Sequence, residues 1–142
     1  MKDSKVITAP KAAVGAVVIE KEQVLLVKRK FPPQKGKWAI PGGLVKLGET
    51  LQEAAQREIK EETGLIIKAK EPIHTFDLIE QNPQGKILFH YVIVDLLADY
   101  IDGEVTPGDD ASDSGWFRPD EIEGLDISDN TKKLLAKIGF LM

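Results

Sequence analysis

The stretch GLVKLGETLQEAAQREIKEETGL, residues 43 to 65, decides how the rest of the chain is read. From Thr50 to Thr63 its residues suit a helix, and Gly64 is well placed to stop it. On such a helix Glu58, Glu61 and Glu62 are related by i, i+3 and i+4, so their carboxylates leave one face within about 100° of each other. Like charges at these spacings cost a few tenths of a kcal/mol each. The helix dipole disfavours anions at the C-terminal end, where these three sit. Arg57 can reach Glu53 or Glu61, whereas Glu58 and Glu62 have no basic residue three or four positions away. A carboxylate cluster of this kind suits a hard cation such as Mg²⁺ or Mn²⁺. The plainer alternative is a solvated acidic face, the usual fate of a charge run.

Outward from that helix the pattern is strand-rich. Ala12 to Ile19 reads as a buried strand, with Gln23 to Lys30 as its hairpin partner across a polar turn at Glu20 to Glu22. Phe31 to Lys37 is a loop by its Pro and Gly content, and Trp38 to Gly43 is a short extended piece ending in a turn. Beyond the helix, Ile66 to Ile79 and Ile87 to Ala98 read as long strands joined through Asn82-Pro83-Gln84-Gly85. A polar loop from Asp99 to Ser114, a short strand at Gly115 to Arg118 and a last helix, Asp129 to Ile138 capped by Ser128, complete the chain. In that last helix Leu134, Leu135 and Ile138 are spaced to face a core. Helices on a mixed sheet predict an α/β sandwich.

Size and composition exclude other classes. A chain of 142 residues, 42% hydrophobic and 30% charged, fits a single ordinary domain, residues 1–142. Apolar runs such as Ala12 to Ile19 are too short to span a bilayer, and the N-terminus lacks a signal-peptide core, so a cytoplasmic protein without a membrane partner is expected. With no cysteine there is neither disulfide nor thiolate chemistry. A net charge of −4 gives no footprint for a nucleic-acid polymer, while leaving room for a compact polyanion held by local groups or metals.

Read from Gly43, the spacing is Gly43, five residues, Glu49, seven residues, Arg57-Glu58-Ile59, one residue, Glu61-Glu62, one residue, Gly64-Leu65. This resembles the Nudix box, G-x5-E-x7-R-E-U-x-E-E-x-G-U with U aliphatic, at every specified position. Average residue frequencies put a chance match in a chain of this length at roughly one in ten million. The box covers 23 of the 142 residues, and Trp38 to Gly43, Phe89-His90-Tyr91 and Gly115-Trp116-Phe117 also resemble family features.

The resemblance implies an α/β/α sandwich and a metal-dependent hydrolase that cuts a nucleoside diphosphate linked to another group. It implies that Glu58, Glu61 and Glu62 hold Mg²⁺ or Mn²⁺ with the carbonyl of Gly42, and that Arg57 orients Glu58. Glu49 is either a helix cap or a catalytic and outer-shell group. Asp110, six residues before Trp116, resembles an acidic catalytic position of some relatives, with Asp109 and Asp113 as competitors and an ordinary acidic loop as the alternative. Arg29 resembles a phosphate-contacting arginine, against an exposed strand-end arginine, and Gly42 and Gly43 are expected to form a tight turn bringing backbone close to the substrate. Trp38 and Phe31 are open to stacking on a base or ribose, with hydrophobic packing the commoner fate, and His74 and His90 are expected to be structural.

For the substrate, a nucleotide-derived small molecule, the resemblance tilts toward ADP-ribose through Phe89 to Val94 and Gly103 to Trp116. The proline found in some ADP-ribose-cleaving relatives about fifteen residues beyond the box is Glu80 here, with Pro83 nearest. The rivals are a nucleoside triphosphate pyrophosphohydrolase, including one acting on 8-oxo-dGTP, and a noncatalytic nucleotide-sensing module. Oligomeric state is left open. Many family members are dimers, and the apolar end Phe140-Leu141-Met142 suits packing within one chain or across a homodimer.

Overall fold

A computed structural model describes residues 8–31, 34–105 and 111–141. Strand β1 (Lys11–Glu20) is buried from Ala13 through Val18, so both its faces are covered, which is why its sequence runs apolar without alternation. It pairs in parallel with β6 (Ile87–Asp102), from Lys11↔Tyr91 to Val18↔Ala98. Antiparallel β5 (Ile66–Gln81) lies outside β6, and the short β4 (Gly42–Leu44) lies antiparallel on the other side of β1.

Strand β2 (Gln23–Arg29) joins β1 through a two-residue turn at Lys21 and Glu22, both at positive φ. The two strands share only the pairs Ile19↔Val24 and Glu20↔Gln23. Beyond them β2 pairs instead with β3 (Trp38–Ala39) and with β7 (Ala111–Phe117).

Helix α1 (Leu51–Thr63) covers one face. Ile59 packs with Ala16, Val18 and Ala98, and Ala54 and Ala55 pack with Val14 and Leu96. The opposite face carries α3 (Asp129–Lys137), whose Leu134 and Leu135 meet Val17 and Leu26, while α2 (Pro119–Ile122) adds Ile122 to the same cluster. Each of the buried Val, Leu and Ile side chains among these contributes about 1.5–3 kcal/mol relative to exposure. The result is the expected α/β/α sandwich on a mixed sheet.

Three local differences from the sequence reading have physical causes. The extended piece Trp38 to Gly43 is two strands, because Pro41 has no N–H to donate and the chain passes there from β2 to β1. The expected polar loop from Asp99 to Ser114 is shorter. Strand β6 continues to Asp102 against Ile66, and β7 begins at Ala111 beside Arg29, since ladder hydrogen bonds need backbone rather than apolar side chains. The one-turn α2 begins with Pro119 at its first helical position.

Candidate active site

Helix α1 starts at a complete capping box. Thr50 Oγ1 accepts from Glu53 N–H at 3.1 Å, and Glu53 Oε1 accepts from Thr50 N–H at 2.8 Å. Glu53 is therefore committed to the cap and is not the partner of Arg57. Glu49 is no cap either. It accepts from Lys46 N–H at 2.8 Å, from Arg57 Nε at 2.6 Å and from Arg57 Nη2 at 2.9 Å. Those bonds, the arginine's first and then the Lys46 amide's, hold the Glu49 carboxyl down at about 2.

Arg57 gathers the site around one guanidinium. Besides Glu49 it donates through Nη1 to Glu58 at 2.9 Å and to Glu61 at 3.2 Å, and through Nη2 to the carbonyl of Leu44 at 2.9 Å. Its own pKa is raised, chiefly by Glu49. The acidic face is thus less repulsive than helical spacing implied, because Arg57 reaches its immediate neighbour Glu58 as well as Glu61. Glu62, 3% exposed, turns inward and accepts from Gly42 N–H at 3.1 Å.

Gly42 and Gly43 belong to β4, paired with Gly15 and Val14, rather than to a tight turn. What they provide is proximity: a methyl at Gly43 meets the carboxyl of Glu58, and one at Gly42 meets the carbonyl of Val14. Among the described residues no three acidic or histidine side chains are gathered closely enough to form a finished metal cage. The donor chemistry nevertheless suits a hard cation. Three carboxylates stand on one helix face beside the glycine backbone, and Glu61, whose side chain is 55% exposed, can turn toward the other two.

On the α3 side of the sheet lies a solvent-open cleft with a cavity volume of about 80 Å³. Its apolar lining includes Ile40, Phe76, Leu78 and Ile93, and its polar groups include Arg29, Asn130 and Asp95. Gly42 lines it too, so β4 is shared by the cleft and the carboxylate helix. Asp95 is 2% exposed, and burial alone pushes its carboxyl up to about 7.

A sequence profile of the NUDIX domain matches residues 9–138. The chain belongs to the Nudix family. It is 39% identical over 117 residues to an ADP-ribose pyrophosphatase of Methanocaldococcus jannaschii, covering 82% of this chain and 67% of that one. It is 33% identical over 113 residues to the nucleoside triphosphatase NudI of Salmonella paratyphi B, covering 75% and 79%. A MutT Nudix hydrolase structure from Burkholderia pseudomallei superposes with a TM-score of 0.73 at 28% identity, over 92% of this chain and 99% of that one. The protein is accordingly a Nudix hydrolase acting on phosphorus-containing acid anhydrides, a family that generally uses divalent metal ions.

Within this Nudix site the structure brings together Glu49, Arg57, Glu58, Glu61, Glu62, Gly42 and Gly43. Arg29 lines the cleft, as Gly42 does. Asp110 lies outside the described residues. Trp38 packs edge-on against Phe117 with ring centroids 5.0 Å apart, His74 contacts Lys137 Nζ at 3.1 Å, and no described helix is long and apolar enough to cross a membrane.

The sequence reading did not reach Asp95, Phe76 or Asn130. One signal was present, a single acid inside the apolar run Tyr91 to Ala98, at the same strand parity as Tyr91 and Ile93.

Proposed function

We propose that this enzyme hydrolyses the pyrophosphate bond of a nucleoside diphosphate derivative, with ADP-ribose as substrate and AMP and ribose 5-phosphate as products. One observation carries the reading. Gly42 lines a largely apolar, solvent-open cleft, and the amide of that same residue is bonded to Glu62 on the acidic helix. A molecule seated in the cleft therefore extends its phosphates over β4 toward Glu58. The identity to an ADP-ribose pyrophosphatase supports the choice of substrate.

In this reading Glu58, Glu61, Glu62 and the Gly42 carbonyl hold Mg²⁺ or Mn²⁺. When bound, the metal neutralises charge on the phosphate oxygens and acidifies a water for attack on phosphorus. Arg57 is a positioning residue. It fixes Glu58 while Glu49 fixes Arg57, so the carboxylate is aimed before substrate arrives. Arg29 meets a phosphate leaving the cleft, and Asp110 is retained as the base outside the box. Residues 1–142 act as one Nudix unit in the cytoplasm.

A second reading, cleavage of a nucleoside triphosphate to monophosphate and pyrophosphate, draws support from the identity to NudI. The two are separated by incubating the protein and Mg²⁺ with ADP-ribose, other nucleoside diphosphate sugars, dNTPs and 8-oxo-dGTP. AMP from ADP-ribose as the fastest reaction supports the first reading, and pyrophosphate from a triphosphate replaces it with the second.

A further inference from the structure

Among the described residues Asp95 is the one buried acid lining the cleft, and the fold makes no use of it. It sits mid-strand in β6, and among the described residues nothing donates to it or forms an ion pair with it. Leaving a carboxyl in an apolar site without a partner costs several kcal/mol, and an aliphatic residue of similar size avoids that cost. Its parallel-strand partner is Gly15, whose absent side chain keeps the carboxyl open to the cleft: a methyl there meets Asp95 Oδ1, and Ile40 Cδ1 at 2.9 Å. The charged and titratable groups facing this region do not engage it. Arg29 lines the same cleft from β2, and His74, the cross-strand neighbour on β5, turns to Lys137 of α3.

Resting on the reading of this cleft as the nucleoside site, we propose that Asp95 is a specificity-determining residue that pairs with the amino and ring-nitrogen edge of adenine. The walls suit a flat apolar ring, with Phe76, Leu78 and Ile93 beside a polar end at Asp95. The protonation state selects the base. A neutral carboxylic acid presents one acceptor and one donor side by side, matching the adenine amino group and the unprotonated ring nitrogen next to it. Guanine presents two adjacent donors on the equivalent edge and pairs with the ionised form. Burial raises the carboxyl to about 7, so the neutral form that suits adenine prevails below that pH, where the comparison is made.

The test compares Asp95→Leu and Asp95→Asn with the wild type. It measures kcat/KM for ADP-glucose against GDP-glucose and for dATP against dGTP, and binding of AMP against GMP. An amide keeps one donor and one acceptor, so Asp95→Asn retains the adenine preference in rate and binding. Asp95→Leu loses at least roughly tenfold of it. A wild type that favours guanine overturns the proposal, as does an Asp95→Leu protein with an unchanged A-to-G ratio. Triphosphates cleaved faster than diphosphate sugars overturn only the ADP-ribose reading. The base ratio within dATP and dGTP then still decides the role of Asp95.

Discussion

Arg57 is the residue on which the acidic face turns, because a single guanidinium serves Glu49, Glu58, Glu61 and the Leu44 carbonyl. A lysine offers a point charge instead of a planar fork and cannot hold that set. Arg57→Lys is expected to lower kcat about tenfold or more and, by loosening Glu49, to lower thermal stability modestly in a protein that stays folded, checked by steady-state kinetics beside a melting curve. The Glu49 carboxyl, held at about 2 against an ordinary 4.5, adds stability that is fully present above the ordinary value and disappears as pH falls toward 2. Glu49→Gln should therefore flatten the loss of stability between pH 4.5 and 2, read as denaturation midpoints across that range. The spacing of Glu58, Glu61 and Glu62 was legible from the helix period alone. The tie between Glu49 and Arg57 was not, since Glu49 precedes the cap and only the turn through Lys46 to Thr50 carries it back over the helix.

At the scale of elements, α1 and α3 were legible because cap and stop residues are local chemistry: Gly64 and Ser128 act where the sequence places them, although the cap of α1 is Thr50, which the sequence reading places inside the helix, and not Glu49. The split of Trp38 to Leu44 into β3 and β4 was less so, because which strand each half joins depends on partners far along the chain. The β1–β2 turn carries a prediction of its own. Lys21 and Glu22 sit at φ of 51° and 65°, a backbone that costs residues with a Cβ about 1 kcal/mol each and that Asn-Gly adopts readily. Replacing them with Asn-Gly should raise unfolding free energy by about 1–2 kcal/mol without altering activity, measured by urea denaturation. Gly43→Ala should do the reverse. Its methyl enters the space of the Glu58 carboxyl, so turnover falls while the far-ultraviolet spectrum is kept.

Across the whole molecule, the cleft assembles from six strands and one helix, among them Gly15 of β1, Arg29 of β2, Phe76 of β5, Asp95 of β6 and Asn130 of α3. No local pattern announces such a site, which is why the box was readable from sequence and the cleft was not. Asp95 also links the cleft to global stability. Its folded value of about 7 exceeds the ordinary 3.8, so the native state holds a proton the unfolded chain releases, and stability falls as pH rises between the two. Asp95→Asn should leave stability near wild type at pH 4 and raise it by on the order of a few kcal/mol at pH 8.

The proposed cleavage of ADP-ribose at the face where Glu58 meets Gly43 is tested by the rate of AMP formation from ADP-ribose with Mg²⁺ by the wild type and by Glu58→Gln. The expected result is AMP and ribose 5-phosphate from the wild type, with a rate at least roughly a hundredfold lower in a folded Glu58→Gln protein that still binds AMP. A Glu58→Gln protein working at a near-normal rate contradicts it.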